Sequence, residues 1–291
     1  MFVLNFPFAV LFNIVKFSIV ATKDDISAMS GDGARYINAA ADNDINLVKS
    51  FLTNKASPVP VDARDWDNLT AVIAASGKGH LDMVKYLVQT AKADITLKDK
   101  DNITALMEAA MGGHLSVVEF LASVGAEVDS TASSGVSPLW LSSGEGHLGV
   151  VQFLLGKKAD PNNKRSDGIT ALMAASAGGH VDIVRALLEA GAGVDGKDKE
   201  GLTALISAAE NGSVPIVKLL LEHKAEVNVM SENGFSPLII ASAHGHLEVV
   251  KLLIEAGADM DLQHPELVLQ LLNKNSSRVN SCWFVCVRLL R

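Results

Sequence analysis

The chain has 291 residues, 48% of them apolar but only 5% aromatic, so its core must be built from Leu, Val, Ile and Ala. A formal net charge of -8, with signs alternating as in Lys197-Asp-Lys-Glu200, excludes the clustered basic footprint of a nucleic-acid binder. Two cysteines, Cys282 and Cys286, are too few for a disulfide framework or a cysteine metal site and read as reduced thiols.

In chain order, residues 1–21 are apolar, but Asn5, Pro7, Asn13 and Lys16 interrupt a run barely as long as the ~20 residues of a bilayer crossing. No basic residue precedes Phe2, as a signal peptide requires. The segment is read as one without a targeting role, with a signal or membrane anchor as the alternative. Polar residues 22–33 are read as a linker. Residues 34–64 form an incomplete first unit, in which Ala34–Ala41 and Ile45–Leu52 pattern as short helices around Asp42-Asn-Asp44. It lacks an opening turn, which suits the end of a stack. Pro58 and Pro60 then lengthen the connection and forbid a continuing helix.

Six full units follow, at about 65–98, 99–131, 132–164, 165–197, 198–230 and 231–263. Their openings run Asn68-Leu-Thr-Ala-Val72, Asn102-Ile-Thr-Ala-Leu106, Gly135-Val-Ser-Pro-Leu139, Gly168-Ile-Thr-Ala-Leu172, Gly201-Leu-Thr-Ala-Leu205 and Gly234-Phe-Ser-Pro-Leu238. The hydroxyl falls at 70, 104, 137, 170, 203 and 236, a step of 34 and then four steps of 33. A fixed period of this size marks identical supersecondary units in a stack. Within 132–164, Gly135 suits a turn, Ser137 a helix N-cap and Pro138 the first helical position. Gly146 suits a left-handed helix end, and Leu148, Val150, Val151, Leu154 and Leu155 make the apolar stripe of a second helix. A protruding loop leads to the next unit. No unit alone covers its stripe, so each depends on its neighbours.

These residues resemble the ankyrin repeat. The resemblance spans Ala34 to about Gln263. It rests on the Gly-x-Thr-Ala-Leu or Ser-Pro-Leu opening and on the Gly-His pairs at 79–80, 113–114, 146–147, 179–180 and 245–246. The Val-Val-x-x-Leu-Leu helix and the Gly-Ala-Asp-like ending complete it. It implies an all-α solenoid of about seven helix-turn-helix units with short β-hairpin loops, binding a protein on a concave face of hairpin tips and first helices. The chain departs from the pattern where the family favours a His after Thr-Pro-Leu. Ile73, Met107, Trp140, Met173, Ile206 and Ile239 stand there, so apolar packing is expected to replace the hydrogen bonds of that His. Ser213 also replaces the turn His of the sixth unit, and Pro215 enters its second helix.

By the layout that the resemblance implies, the tips present Trp66, Asp67 and Leu69; Lys100, Asp101 and Ile103; Ser134 and Val136; Asp167 and Ile169; Lys199, Glu200 and Leu202; and Glu232, Asn233 and Phe235. The first helices present Lys78, Met111, Glu145, Glu210 and His244. Trp66 and Phe235 are read as the anchors, since exposed aromatics favour interface hot spots; Trp140 is read as core. Five of the eight histidines form a column one unit apart, which suits turn residues bonding backbone and does not converge on a metal. No phosphate loop, nucleophile elbow, His-Glu-x-x-His helix or placed Cys–His pair is present. No catalytic, cofactor-binding or metal residue is therefore assigned, and the chain is read as a non-enzyme without cofactors. Residues 264–291 read as a partial cap helix and an apolar tail. The expected protein is a monomeric, intracellular, cytoplasmic scaffold with a protein partner. The alternative is the recognition arm of a membrane-attached, secretory or larger enzymatic protein.

Overall fold

The computed structural model describes residues 31–259. The N-terminal segment, most of the expected linker and the C-terminal tail lie outside them. Helix pairs follow one another along the chain. The first helices are α1 (Asp32–Ala41), α3 (Ala71–Gly77), α5 (Ala105–Met111), α7 (Pro138–Glu145), α9 (Ala171–Ala177), α11 (Ala204–Glu210) and α13 (Pro237–His244). The second helices are α2 (Ile45–Leu52), α4 (Leu81–Lys85), α6 (Leu115–Ser123), α8 (Leu148–Gly156), α10 (Val181–Glu189), α12 (Val214–Glu222) and α14 (Leu247–Glu255). Helix α1 starts at Asp32, inside the segment read as a linker.

Each first helix from α3 onward starts on a hydroxyl cap. Thr70, Thr104, Ser137, Thr170, Thr203 and Ser236 accept the backbone N–H three residues on, at 3.2–3.4 Å. Such a cap is worth about 1 kcal/mol. Pro138 and Pro237 take the first helical position, where the lost donor costs nothing. These helices are only seven or eight residues long. They survive because they are buried on nearly every side, α5 from Ala105 to Ala110 without a break. Adjacent first helices pack against each other down the stack, and the second helices from α4 onward do the same in an outer layer. The outer layer repeats one buried motif. Val84, Val118, Val151, Val184, Val217 and Val250 are each followed three residues later by a fully buried Leu, at 87, 121, 154, 187, 220 and 253.

The single 34-residue step has a structural reason. After α4 the helix continues as a π-helical segment, Tyr86–Thr90. The closing bond runs from Ala93 N–H to the Leu87 carbonyl, six residues back, whereas Ala126 bonds Leu121 and Ala159 bonds Leu154, five back. One inserted residue is absorbed by widening the helix, and the layers on either side keep register.

Neighbouring units are tied together at the turn between helices. His80, His114, His147, His180 and His246 each reach with Nε2 to a carbonyl near the end of the preceding unit's first helix: Ala41, Gly77, Met111, Gly144 and Glu210, at 2.8–3.1 Å. The turn glycine is required twice over. Gly79 holds a left-handed φ of 76°, and a Cβ there would come within 2.5 Å of the His114 ring. Gly113 meets His147 in the same way. A second ladder links the loops after the second helices. Asp62, Asp129, Asn162, Asp195 and Asn228 accept from the backbone N–H of Asp94, Asp160, Gly193, Glu226 and Asp259. The opening hairpins are tight turns. Isolated antiparallel bridges join Lys98 to Thr104 and Lys164 to Thr170, and no strand forms among the described residues.

Candidate functional site

The hairpins and first helices build one face of the stack. Asp65, Asp99 and Asp198 shape their hairpins by accepting two backbone N–H groups each, from Asp67 and Leu69, Asp101 and Ile103, and Glu200 and Leu202, at 2.7–2.9 Å. Successive tips are then joined by backbone bonds. The N–H groups of Lys100, Ser133, Ser166, Lys199 and Glu232 donate to the carbonyls of Asp67, Asp101, Ser134, Asp167 and Glu200, at 2.7–2.9 Å. These bonds tie each tip to the next along the face.

The expected site residues divide by register. Trp66 is 69% exposed at the first full tip, with the Lys100 ammonium 4.8 Å from its ring centroid. Lys100 also pairs with Asp67. Lys100, Asp101, Ser134, Lys199, Glu200, Glu232 and Asn233 are exposed tip residues. Lys78 is exposed and Met111, Glu145 and Glu210 are half-buried at the ends of their helices. His244 is exposed and stacks on His246 at 5.9 Å between centroids. Leu69, Ile103 and Leu202 are half-buried, and Asp167 is half-buried in an ion pair with Arg165 at 2.6 Å. Three expected contact residues are set more deeply than expected. Val136, Ile169 and Phe235 are buried. They directly precede the capping hydroxyl, as do the half-buried Leu69, Ile103 and Leu202. Phe235, at 9% exposure, is thus no anchor.

The tips and helices of the third, fourth and fifth units line an open groove of about 490 Å³. Asp101, Ile103, Met111, Ser134 and Val136 all line it, so the structure joins residues chosen from separate units. Two further residues define its chemistry. Glu108 is buried in its lining, and its carboxyl receives no hydrogen bond from any described residue. Burial, with Asp99 adding repulsion, pushes this carboxyl up to about 7, against the opposing pull of Lys78. Arg165, on the opposite hairpin, pairs with Asp167 and lies 5.7 Å from the Trp140 ring centroid. Both departures were visible in the sequence. Glu108 stands in the register of Ala74, Leu141, Ala174, Ser207 and Ile240, and Arg165 in that of Asp65, Asp99 and Asp198.

The family model for ankyrin repeats, described as three copies, matches residues 36–132, 139–231 and 191–264, well over half of the chain. This chain belongs to the ankyrin-repeat family. Among curated proteins none matches it. The ankyrin pattern explains the turn histidines and sharpens two local departures. Where the opening His is absent, apolar packing replaces it, except that the Trp140 indole N–H donates to the Ile169 carbonyl of the next unit at 3.1 Å and the Met173 Sδ accepts from the Thr170 N–H at 3.4 Å. Where Ser213 replaces the turn His, Asn211 Nδ2 donates instead to Ala177, at 2.6 Å, and the space over Gly179 stands open. Ankyrin repeats are in general protein–protein interaction modules and typically not enzymes. Among the described residues no helix is long and apolar enough to cross a membrane, and no group of His, Cys, Asp and Glu could hold a metal ion.

Proposed function

We propose that this ankyrin stack is a non-enzymatic scaffold that binds a partner protein along its hairpin tips and first helices. The observation that supports it most is the 490 Å³ groove, whose lining comes from three successive units and combines an apolar floor with acidic and hydroxyl groups. The backbone bonds between tips leave little to be ordered on this side of an interface, which lowers the entropic cost of association. Trp66, exposed and overlaid by Lys100, supplies an aromatic anchor at one end of the same face. An intracellular location and a monomeric state belong to the proposal, and are checked by cell fractionation and light scattering.

The test is affinity capture with the intact chain and with a Trp66→Ala/Met111→Ala variant whose melting temperature matches it. The proposal expects proteins retained by the wild type to be lost from the variant. An unchanged captured set would contradict it.

A further inference from the structure

Glu108 is a buried carboxyl in a groove wall that holds no counter-ion for it. Its register elsewhere is filled by Ala74, Leu141, Ala174, Ser207 and Ile240, so the stack does not need an acid there for packing. The other charged groups of the groove are distributed unevenly. Asp99 and Asp101 add negative charge from the hairpin of the same unit. Lys78, beyond the end of α3, is exposed and forms no ion pair with Glu108. Arg165 across the groove is engaged by Asp167 and by the face of Trp140. Between them, Ile103, Met107 and Met111 give an apolar path to the carboxyl.

We propose that this groove is a subsite for one basic side chain, arginine or lysine, carried on a peptide segment of the partner protein, with Glu108 as its counter-ion. The apolar path covers the methylene stem, and Met107 and Met111 adapt to its shape. The cationic head meets a carboxylate that burial has largely, but not wholly, withdrawn from water, so the charge-assisted bond forms in a partly desolvated place. A buried acid that is unpaired in the free protein gains its partner only in the complex, which makes the contact discriminating as well as attractive.

This rests on the protein-binding reading above, and the test separates the two. A random-peptide display library is panned against the full chain, and enriched peptides are synthesised. The proposal expects them to share an Arg or Lys. It expects replacement of that residue by Met, or Glu108→Gln in the protein, to weaken binding about thirty-fold or more. The two losses should not add in a double-mutant cycle. Glu108→Leu, which copies Leu141, serves as the variant that keeps the fold and should lose binding equally. Peptides that bind wild type and Glu108→Gln alike overturn the subsite. If those same peptides are displaced by Met111→Arg, the groove reading survives. If they ignore Met111→Arg as well, or if no peptide is enriched, both readings fall.

Discussion

Glu108 carries its carboxyl where most repeats carry a small or aliphatic side chain, and the cost should be visible as a pH dependence. Its folded value of about 7 lies above the unfolded 4.5. Well below pH 4.5 both states are protonated and nothing is lost. As pH rises to 7 the unfolded chain ionises while the folded one resists, so stability falls through that window and is flat above it. The full displacement corresponds to about 3 kcal/mol. Asp99 and Asp198, each raised by burial, push in the same direction. Urea titrations should therefore show Glu108→Gln more stable than wild type at pH 8, by up to about 3 kcal/mol, with the difference gone by about pH 3.5. A constant difference across that range would refute the burial argument. The sixth unit offers a second residue-scale test. Asn211→Ala should cost about 1 kcal/mol by freeing the Ala177 carbonyl. The pair Asn211→Gly/Ser213→His should restore wild-type stability, because the imidazole then fits over Gly179 as His147 fits over Gly113. Chemical denaturation of the three proteins decides it.

At the scale of elements, the caps, turns and apolar stripes were legible in the sequence because each has a local cause: a hydroxyl before the helix, a glycine at positive φ, valines and leucines at helical spacing. The π-helical segment was legible only as a 34-residue step, since a spacing does not say where an insertion is absorbed. The hairpin residues were legible as a set but not by direction. Val136, Ile169 and Phe235 look like loop residues and are buried, whereas Leu69, Ile103 and Leu202, at the same position before the cap, are half-buried, a difference set by neighbouring units and not by the local pattern. The indole bond of Trp140 also escaped sequence reasoning, because its acceptor belongs to the next unit. It has a measurable consequence. Trp140→Phe keeps most of the apolar contact but removes the indole's bond to the Ile169 carbonyl, which the Arg165 N–H still holds, so it should destabilise the chain by about 0.5–1.5 kcal/mol. It should also speed amide exchange in the hairpin at 165–169, which hydrogen exchange reads directly. Unchanged exchange there would mean that Arg165 and Asp167 hold the hairpin without it.

For the whole molecule, layers are coupled only to their neighbours, through helix packing, the turn histidines, the loop ladder and the tip ladder. Stability is then a chain of interfaces. Leu154→Ala in the middle of the stack removes contacts on both sides and should cost about 2–5 kcal/mol. The same architecture leaves one face, tips and first helices, as a continuous surface of fixed geometry. The most direct measurement is hydrogen–deuterium exchange on the chain with and without a captured partner. The account predicts added protection at the tips around 65–69, 99–103 and 132–136 and at the ends of α3, α5 and α7. Protection confined to the outer helices, around Glu119, Lys218 and Lys251, would contradict it.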